Sequence, residues 1–268
     1  MSQFSPEAYW EQRLEDDYSL SGVGFKRLGP SFNRWAYQVR RERFFDIVAE
    51  HVEDPRAARV LDVGSGTGFY VDLWKELGAS SIVGVDLTRV AVERLSQRHP
   101  HLTFHQLDIG EGTGPLPEAG FDVVDAMDVL FHIVDDARFQ AAVQNLYRLV
   151  APGGLFIFSD NFVHGDAIRV EHQATRSLED IERAVRQTGF EIVDRQPMFV
   201  VMNTPLDVRS RIVRGAWYGA AGAISLWDRL GDVAGRALVP LELRLCRNRS
   251  ESPTTEIMVC RRPRLVTD

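Results

Sequence analysis

Val60-Leu61-Asp62-Val63-Gly64-Ser65-Gly66-Thr67-Gly68 is the stretch on which the reading of this chain turns. A short apolar run ends in three glycines, and Phe69 onward resumes with helical spacing. Glycines at a strand-to-helix corner let the backbone turn tightly and let a ligand approach the main chain. The helix that follows offers its unpaired N–H groups. A dinucleotide loop requires G-x-G-x-x-G, or a final Ala, for close helix–strand packing. Here the third glycine comes one place early, at Gly68, and Phe69 fills the dinucleotide position. Asp62, two residues before the first glycine, would repel a pyrophosphate but can engage a cationic ammonium directly or through water.

Outward from this loop the chain alternates between strand and helix patterns. Strands are expected at 59–63, 82–86, 102–106, 121–127 and 155–159, with helices at 69–77, 88–98 and 136–150, the last stopped by Pro152-Gly153-Gly154. Such alternation implies crossover connections, a parallel sheet and helices on both faces. Later, Ser177 reads as the N-cap of a helix ending at Gly189, and strands follow at 190–193 and 255–260. The sixty or so residues between those strands are too many for a structureless connection. Val208, Ile212, Ala216, Ala220, Ile224 and Trp227 keep helical spacing there, so a helical insertion is expected at about 200–250. Upstream, a helix is expected over 33–52, preceded by an arm rich in aromatics.

The ends of successive strands carry suitable groups in order. Gly84-Val85-Asp86, with Leu87 next, places an acid about twenty residues after the loop, where a carboxylate can accept from ribose hydroxyls. Asp108 and Ile109 follow the third strand. Met127, Asp128 and His132 follow the fourth, and Asp160, Asn161 and His164 the fifth. Open α/β sheets bind ligands outside the carboxyl ends of their strands.

On VLDVGSGTG, GVDLT, QLDIGE, FDVVDAMDVLFHIVDD and LYRLVAPGGLFIFSD, residues 58 to 160 resemble the class I S-adenosylmethionine-dependent methyltransferases of small-molecule metabolism. The resemblance implies a doubly wound, Rossmann-like α/β fold. Its seven-stranded sheet is mostly parallel with an antiparallel last strand, and FEIV and TEIMVC match the closing pair. It implies that Asp62, Gly64, Ser65, Gly66 and Gly68 line the methionine part of S-adenosylmethionine. Asp86 with Leu87 would hold the ribose, and Asp108 with Ile109 the adenine, while Met127 and Asp128 would face both cofactor and substrate. No metal is implied.

The common core says little about residues 1–57 or the insertion, so substrate choice is expected there, within a methyltransferase unit spanning 58–268. Tyr9, Tyr18, Trp35 and Tyr37 could close over the cofactor as a lid, with Arg34 as a bidentate partner for its carboxylate. The alternative is an arm packed on the sheet edge. For the insertion three roles stay open: a roof over a hydrophobic pocket, a seam in a homodimer, or contact with a membrane surface or lipid.

The expected reaction is methyl transfer to a small molecule, with oxygen favoured as acceptor in specialised metabolism and nitrogen or carbon on an apolar or aromatic metabolite as alternatives. An oxygen acceptor must lose its proton, and His132 and Asp160 are the candidate catalytic groups. A regulatory protein that binds the cofactor without catalysis would keep the same pocket. Bulk properties fit an ordinary globular protein: 268 residues, 44% hydrophobic, 26% charged. The net charge of −7 argues against nucleic acid as a partner. No stretch approaches the roughly 20 apolar residues of a membrane span, so no stable membrane insertion is expected. Cys246 and Cys260 have no metal-ligand spacing and read as ordinary thiols. A cytoplasmic location follows as the default.

Overall fold

The computed structural model describes residues 4–264; residues 1–3 and 265–268, the outer ends of the two units expected from sequence, lie outside that range. The arm is helical: α1 (Pro6–Asp16), α2 (Leu20–Val23) and the long α3 (Gly29–His51). Ser5 caps α1 on the Ala8 N–H, and Pro6 occupies its first turn. The core alternates through β1 (Arg59–Val63), α4 (Phe69–Glu76), β2 (Ser81–Asp86), α5 (Arg89–Arg98), β3 (Thr103–Gln106), β4 (Phe121–Met127), α6 (Asp136–Leu149) and β5 (Val150–Asp160). A small hairpin, β6 (Ile168–Val170) and β7 (Gln173–Thr175), precedes α7 (Leu178–Thr188) and β8 (Glu191–Pro197). Ser177 caps α7, and Gly189 ends it at φ 109°. The insertion forms α8 (Arg211–Leu226) and α9 (Asp228–Asn248), and β9 (Glu256–Arg261) returns to the sheet.

Seven strands form one sheet in the order β3-β2-β1-β4-β5-β9-β8, with β9 antiparallel to both neighbours. Side chains alternate faces along each strand. Val60, Val123, Ile157 and Val259 join one core with Phe44, Trp74 and Leu95 from α3, α4 and α5. Leu61, Val124, Phe156 and Met258 join the other, with Phe139 and Ile181 from α6 and α7. Burial on both faces is what a parallel sheet requires. Both cysteines are free and buried.

Three sequence expectations change. α3 begins at Gly29, four residues before the expected start, because Pro30 suits a first helical turn. Pro152-Gly153-Gly154 lies within β5 and does not separate helix from strand; the register to β4 slips there, from Phe121↔Val150 to Val123↔Leu155. The insertion is two helices with a corner at Trp227, and the expected apolar face is only partly buried. Ala221 and Ile224 pack inward, while Ile212 is 84% and Trp227 65% exposed.

The insertion is anchored inward at both helices. α9 lies along α3, where Gly235 admits the Trp35 ring, whose Nε1 donates to Asp232 at 2.8 Å. Glu242, fully buried, accepts the N–H groups of Val200, Val201 and Met202 at 2.7–3.0 Å. Trp217 Nε1 donates to the Val201 carbonyl at 3.0 Å.

Two glycines of the insertion should respond oppositely to alanine. A Cβ at Gly219 meets nothing within 4 Å, so Gly219→Ala should stabilise by about 0.5–1 kcal/mol through helix propensity. A Cβ at Gly235 would stand 2.6–2.8 Å from Trp35, so Gly235→Ala should destabilise by about 1 kcal/mol or more despite that gain. Urea denaturation of the two variants checks the sign of each.

Candidate active site

A cavity of about 610 Å³ opens at the carboxyl ends of β1, β2, β3 and β4. Its floor is the loop after β1. Gly64 N and Ser65 N both donate to the Val85 carbonyl, at 2.8 and 3.0 Å, and Gly66 N donates to Asp86 Oδ2 at 2.7 Å. Gly64 has φ 74°, and a Cβ there would fall 2.4 Å from Val129. Only glycine fits that position. Asp86 Oδ1 also accepts the Thr88 N–H at 2.9 Å and its hydroxyl at 2.6 Å. Burial pushes the Asp86 carboxyl up, and these donors pull it back toward the ionised form.

Further along the rim, Asp108 accepts the Gly110 N–H at 2.8 Å and pairs with Arg138. The Ile109 carbonyl accepts from Asn145 Nδ2 at 2.8 Å. Asp128 adopts φ 60°, unusual for a residue other than glycine, and exchanges two hydrogen bonds with Ser159 Oγ. Its carboxylate pairs with Arg40 of α3. Tyr37 and Tyr70 stand beside that guanidinium, and burial pushes the Tyr37 phenol up to about 12 and that of Tyr70 further.

His132 stands in the cavity wall. Its Nδ1 lies 3.1 Å from the His172 carbonyl, which can only accept, so Nδ1 carries the proton. Burial pushes the imidazole down to about 4. The ring is therefore neutral near pH 7 and its Nε2 lone pair is free. Trp10 of α1 packs edge-on against it, with centroids 4.7 Å apart, and Tyr9 stacks on His172.

Of the residues expected from sequence, Gly64, Ser65, Gly66, Asp86, Leu87, Asp108, Ile109, Met127, Asp128 and His132 meet around this cavity. Five do not line it. Tyr18 acts from outside, its hydroxyl donating to the Gly66 carbonyl at 3.0 Å. Gly68 begins α4 at φ 79° and packs against Leu95. Asp62 points beneath the loop, where its carboxyl meets that of Asp125. Arg34 is on the outer face of α3, paired with Asp232. Asp160 is 1% exposed, and the Asn161 N–H caps its Oδ1 at 2.6 Å; burial pushes its carboxyl up to about 7. Of its neighbours, Asn161 bonds Thr255, and exposed His164 pairs with half-buried Asp207. Trp35 serves the α3–α9 seam and covers no ligand space.

Sequence reasoning missed Arg40, Phe69, Tyr70, Trp10 and Arg138. A cue for the first was available: Arg40 and Arg43 interrupt the apolar face that Val39, Phe44 and Ile47 give α3.

Comparison with known proteins agrees with the strand-end arrangement. A family model described as a methyltransferase domain matches residues 60–154. A probable S-adenosylmethionine-dependent methyltransferase of Mycolicibacterium smegmatis is 28% identical over 181 residues, covering 65% of this chain and 67% of that protein. A ubiquinone biosynthesis O-methyltransferase of Albidiferax ferrireducens is 36% identical over 107 residues (38% and 40%), and a tRNA U34 carboxymethyltransferase of Idiomarina loihiensis 33% over 129 (46% and 39%). The chain thus spans about two fifths of these last two relatives. The N-methyltransferase NodS of Bradyrhizobium japonicum, solved with S-adenosyl-L-homocysteine, has a TM-score of 0.56 at 16% identity, covering 97% of this chain and 100% of that one, which shows the fold. The chain carries a methyltransferase domain at residues 60–154 and is similar to S-adenosylmethionine-dependent methyltransferases. The cofactor these relatives are named for is S-adenosylmethionine, and the residues present here fit it. The loop's positive-φ glycines leave room for a ligand against the main chain, and the acids Asp86 and Asp108 line the cavity at the ends of β2 and β3. Two buried polar atoms of this segment, Asp62 Oδ2 and Thr67 Oγ1, have no partner among the described residues, and Thr67 lines the cavity.

Asp62 and Asp125 are register partners on β1 and β4, both buried, and Trp74 Nε1 donates to Asp125 Oδ1 at 3.0 Å. Burial pushes both carboxyls up, and a second charge adds to it: that of Asp86 for Asp62 and that of Asp62 for Asp125. A carboxyl raised on folding adds stability below its unfolded pKa, and that stability is lost as pH rises through the folded value. Asp125→Asn keeps the shape and removes one charge. Its Tm should exceed that of the parent at pH 8, with the gap closing on acidification toward pH 5, in a thermal series across that range.

Proposed function

We propose that this methyltransferase acts on a hydroxyl group of a small apolar or aromatic molecule. The observation that carries the reading is His132: neutral, its Nδ1–H committed to a carbonyl, and its Nε2 free at the cavity wall. Such a nitrogen can accept a hydrogen bond from an acceptor hydroxyl, orient its oxygen and take up its proton. Trp10, Tyr37, Phe69 and Tyr70 give the neighbouring wall an aromatic surface suited to a flat or apolar body. The O-methyltransferase among the relatives supports oxygen as the acceptor atom.

In this reading Gly64, Ser65 and Gly66 hold the methionine part of the cofactor. Asp86 and Leu87 hold the ribose, and Asp108 with Ile109 the adenine. Bound S-adenosylmethionine supplies an activated methyl group, so no residue here has to create an electrophile. The remaining work belongs to the chain: aligning the acceptor and excluding water. The Arg40–Asp128 pair fixes the wall opposite His132, and the neutral phenols of Tyr37 and Tyr70 can donate hydrogen bonds. The helices of residues 1–57 act as the cover. Tyr18 ties them to the glycine loop and Trp10 to His132.

Two measurements test this. With labelled cofactor and a panel of phenols, alcohols and amines, His132→Ala should lower kcat on hydroxyl acceptors by about 10²–10⁴-fold. Its affinity for S-adenosylhomocysteine by calorimetry should stay unchanged. Equal loss of both would make His132 a structural residue, and turnover of amines alone would move the acceptor to nitrogen. Because the ring stays neutral down to about pH 4, kcat/KM should show no acid limb near pH 6.5, where a solvated imidazole would impose one. Separately, Trp10→Ala should weaken S-adenosylhomocysteine binding if α1 is the cover. Unchanged affinity in the folded variant would refute that role.

A further inference from the structure

The insertion presents an unpartnered face to solvent. On α8, Ile212 is 84% exposed and Val213 and Tyr218 about half, and glycines 215, 219 and 222 face open space. At the corner, Leu226 and Trp227 are 74% and 65% exposed. Exposed Leu230, Val233 and Leu241 continue along α9 at helical spacing. Between Arg214 and Asp228 there is no charged residue. Contiguous exposed apolar surface of this kind marks an interaction site.

The charges around it select the partner. Although the protein carries −7 overall, residues 208–249 hold eight arginines against three acids. All three acids are engaged within the chain: exposed Asp228 accepts from Ser31, half-buried Asp232 from Arg34 and Trp35, and buried Glu242 from three main-chain N–H groups. Among the described residues Arg209, Arg211, Arg214 and Arg229 have no ion-pair partner, and they flank the exposed aliphatic groups. We propose that α8 and the α8–α9 corner dock on the surface of an anionic phospholipid bilayer. Ile212, Leu226 and Trp227 would enter the headgroup–acyl boundary while the flanking arginines meet lipid phosphates.

Other occupants fit less well. α8 carries Arg211 and Arg214 and no acid, so two copies pairing over this helix would gain no charge complementarity from it. RNA would use the arginines but leave Ile212, Leu226 and Val233 in water. A bilayer uses both sets, and its interface favours Trp and Tyr. No helix among the described residues is long and apolar enough to cross a membrane, so the contact is peripheral. Trp217 stacks on Phe25, two residues from Val23 in the cavity wall, so docking there would set the N-terminal cover beside the bilayer. The inference rests on this exposed face and does not depend on the acceptor.

The test is co-sedimentation of the whole chain with vesicles of phosphatidylcholine, with and without phosphatidylglycerol. Binding is expected to the mixed vesicles, weakened by salt, with a blue shift of tryptophan fluorescence. At about fivefold for each basic residue near the surface, Arg211→Gln with Arg214→Gln should lower partitioning by about thirtyfold. Ile212→Asp with Leu226→Asp should abolish it. Circular dichroism and S-adenosylhomocysteine affinity, read for each variant, separate loss of docking from loss of fold. The proposal is overturned by absence of binding, by binding that neither pair of substitutions weakens, or by a lipid-free dimer that Ile212→Asp with Leu226→Asp dissociates. Retention of the same face by RNA in place of vesicles would overturn it too.

Discussion

One buried carboxylate, Asp86, holds the site together. It ends β2, accepts the N–H of Gly66 from the loop after β1, and accepts both donors of Thr88 at the start of α5. Hydrogen bonds to a charged group contribute about 1.5–3 kcal/mol each, enough to impose a conformation on a short loop of glycines. With Gly64 and Ser65 fastened to the Val85 carbonyl, the loop has little freedom left. Its outward-facing carbonyl at Gly66 is then a fixed point on which Tyr18 lands. The N-terminal helices are thus referenced to the same carboxylate that shapes the floor of the cavity.

The same device recurs elsewhere. Glu242 gathers three main-chain N–H groups beneath α9, and Asp128, in a left-handed conformation, is held by Ser159 and Arg40. Asp86 and Glu242 are too buried to be tolerated without partners, Asp128 is half-buried, and each set of partners is main chain or a fixed side chain. Acids therefore act here as internal fasteners. Because the insertion's acids are used in this way, the solvent face of α8 and α9 is left basic within an acidic protein.

The sequence made the sheet legible because parallel strands buried on both faces give continuous apolar runs, and β1, β2 and β4 lie within a residue of their expected bounds. Residues at strand ends were legible for the same reason: topology places them at one edge of the sheet whatever their side chains do. What failed was anything decided by direction within an element. Arg34 and Arg40 are both arginines on α3, and only contact with α9 or Asp128 tells which one supports the cavity wall. Asp160 follows a strand as Asp128 does, yet its side chain turns into the core. Helical spacing at Val208 to Trp227 was real, but spacing cannot say whether an apolar stripe meets the protein or the solvent.

These misreadings share a physical boundary. The proposed cofactor contacts come from main chain and acids at strand ends, where the sheet fixes position and local sequence suffices. The aromatic wall comes from α1, α3 and α4, whose side chains reach the cavity only through long-range packing: Trp10 on His132, Tyr37 on Phe69. His132 belongs to both regimes. The strand end sets its place, but its tautomer is set by the His172 carbonyl at the β6–β7 turn, forty residues away. A ring whose proton is assigned by a distant turn can change its chemistry without any change to the sheet. Acceptor chemistry can therefore vary on this scaffold while the cofactor floor stays fixed.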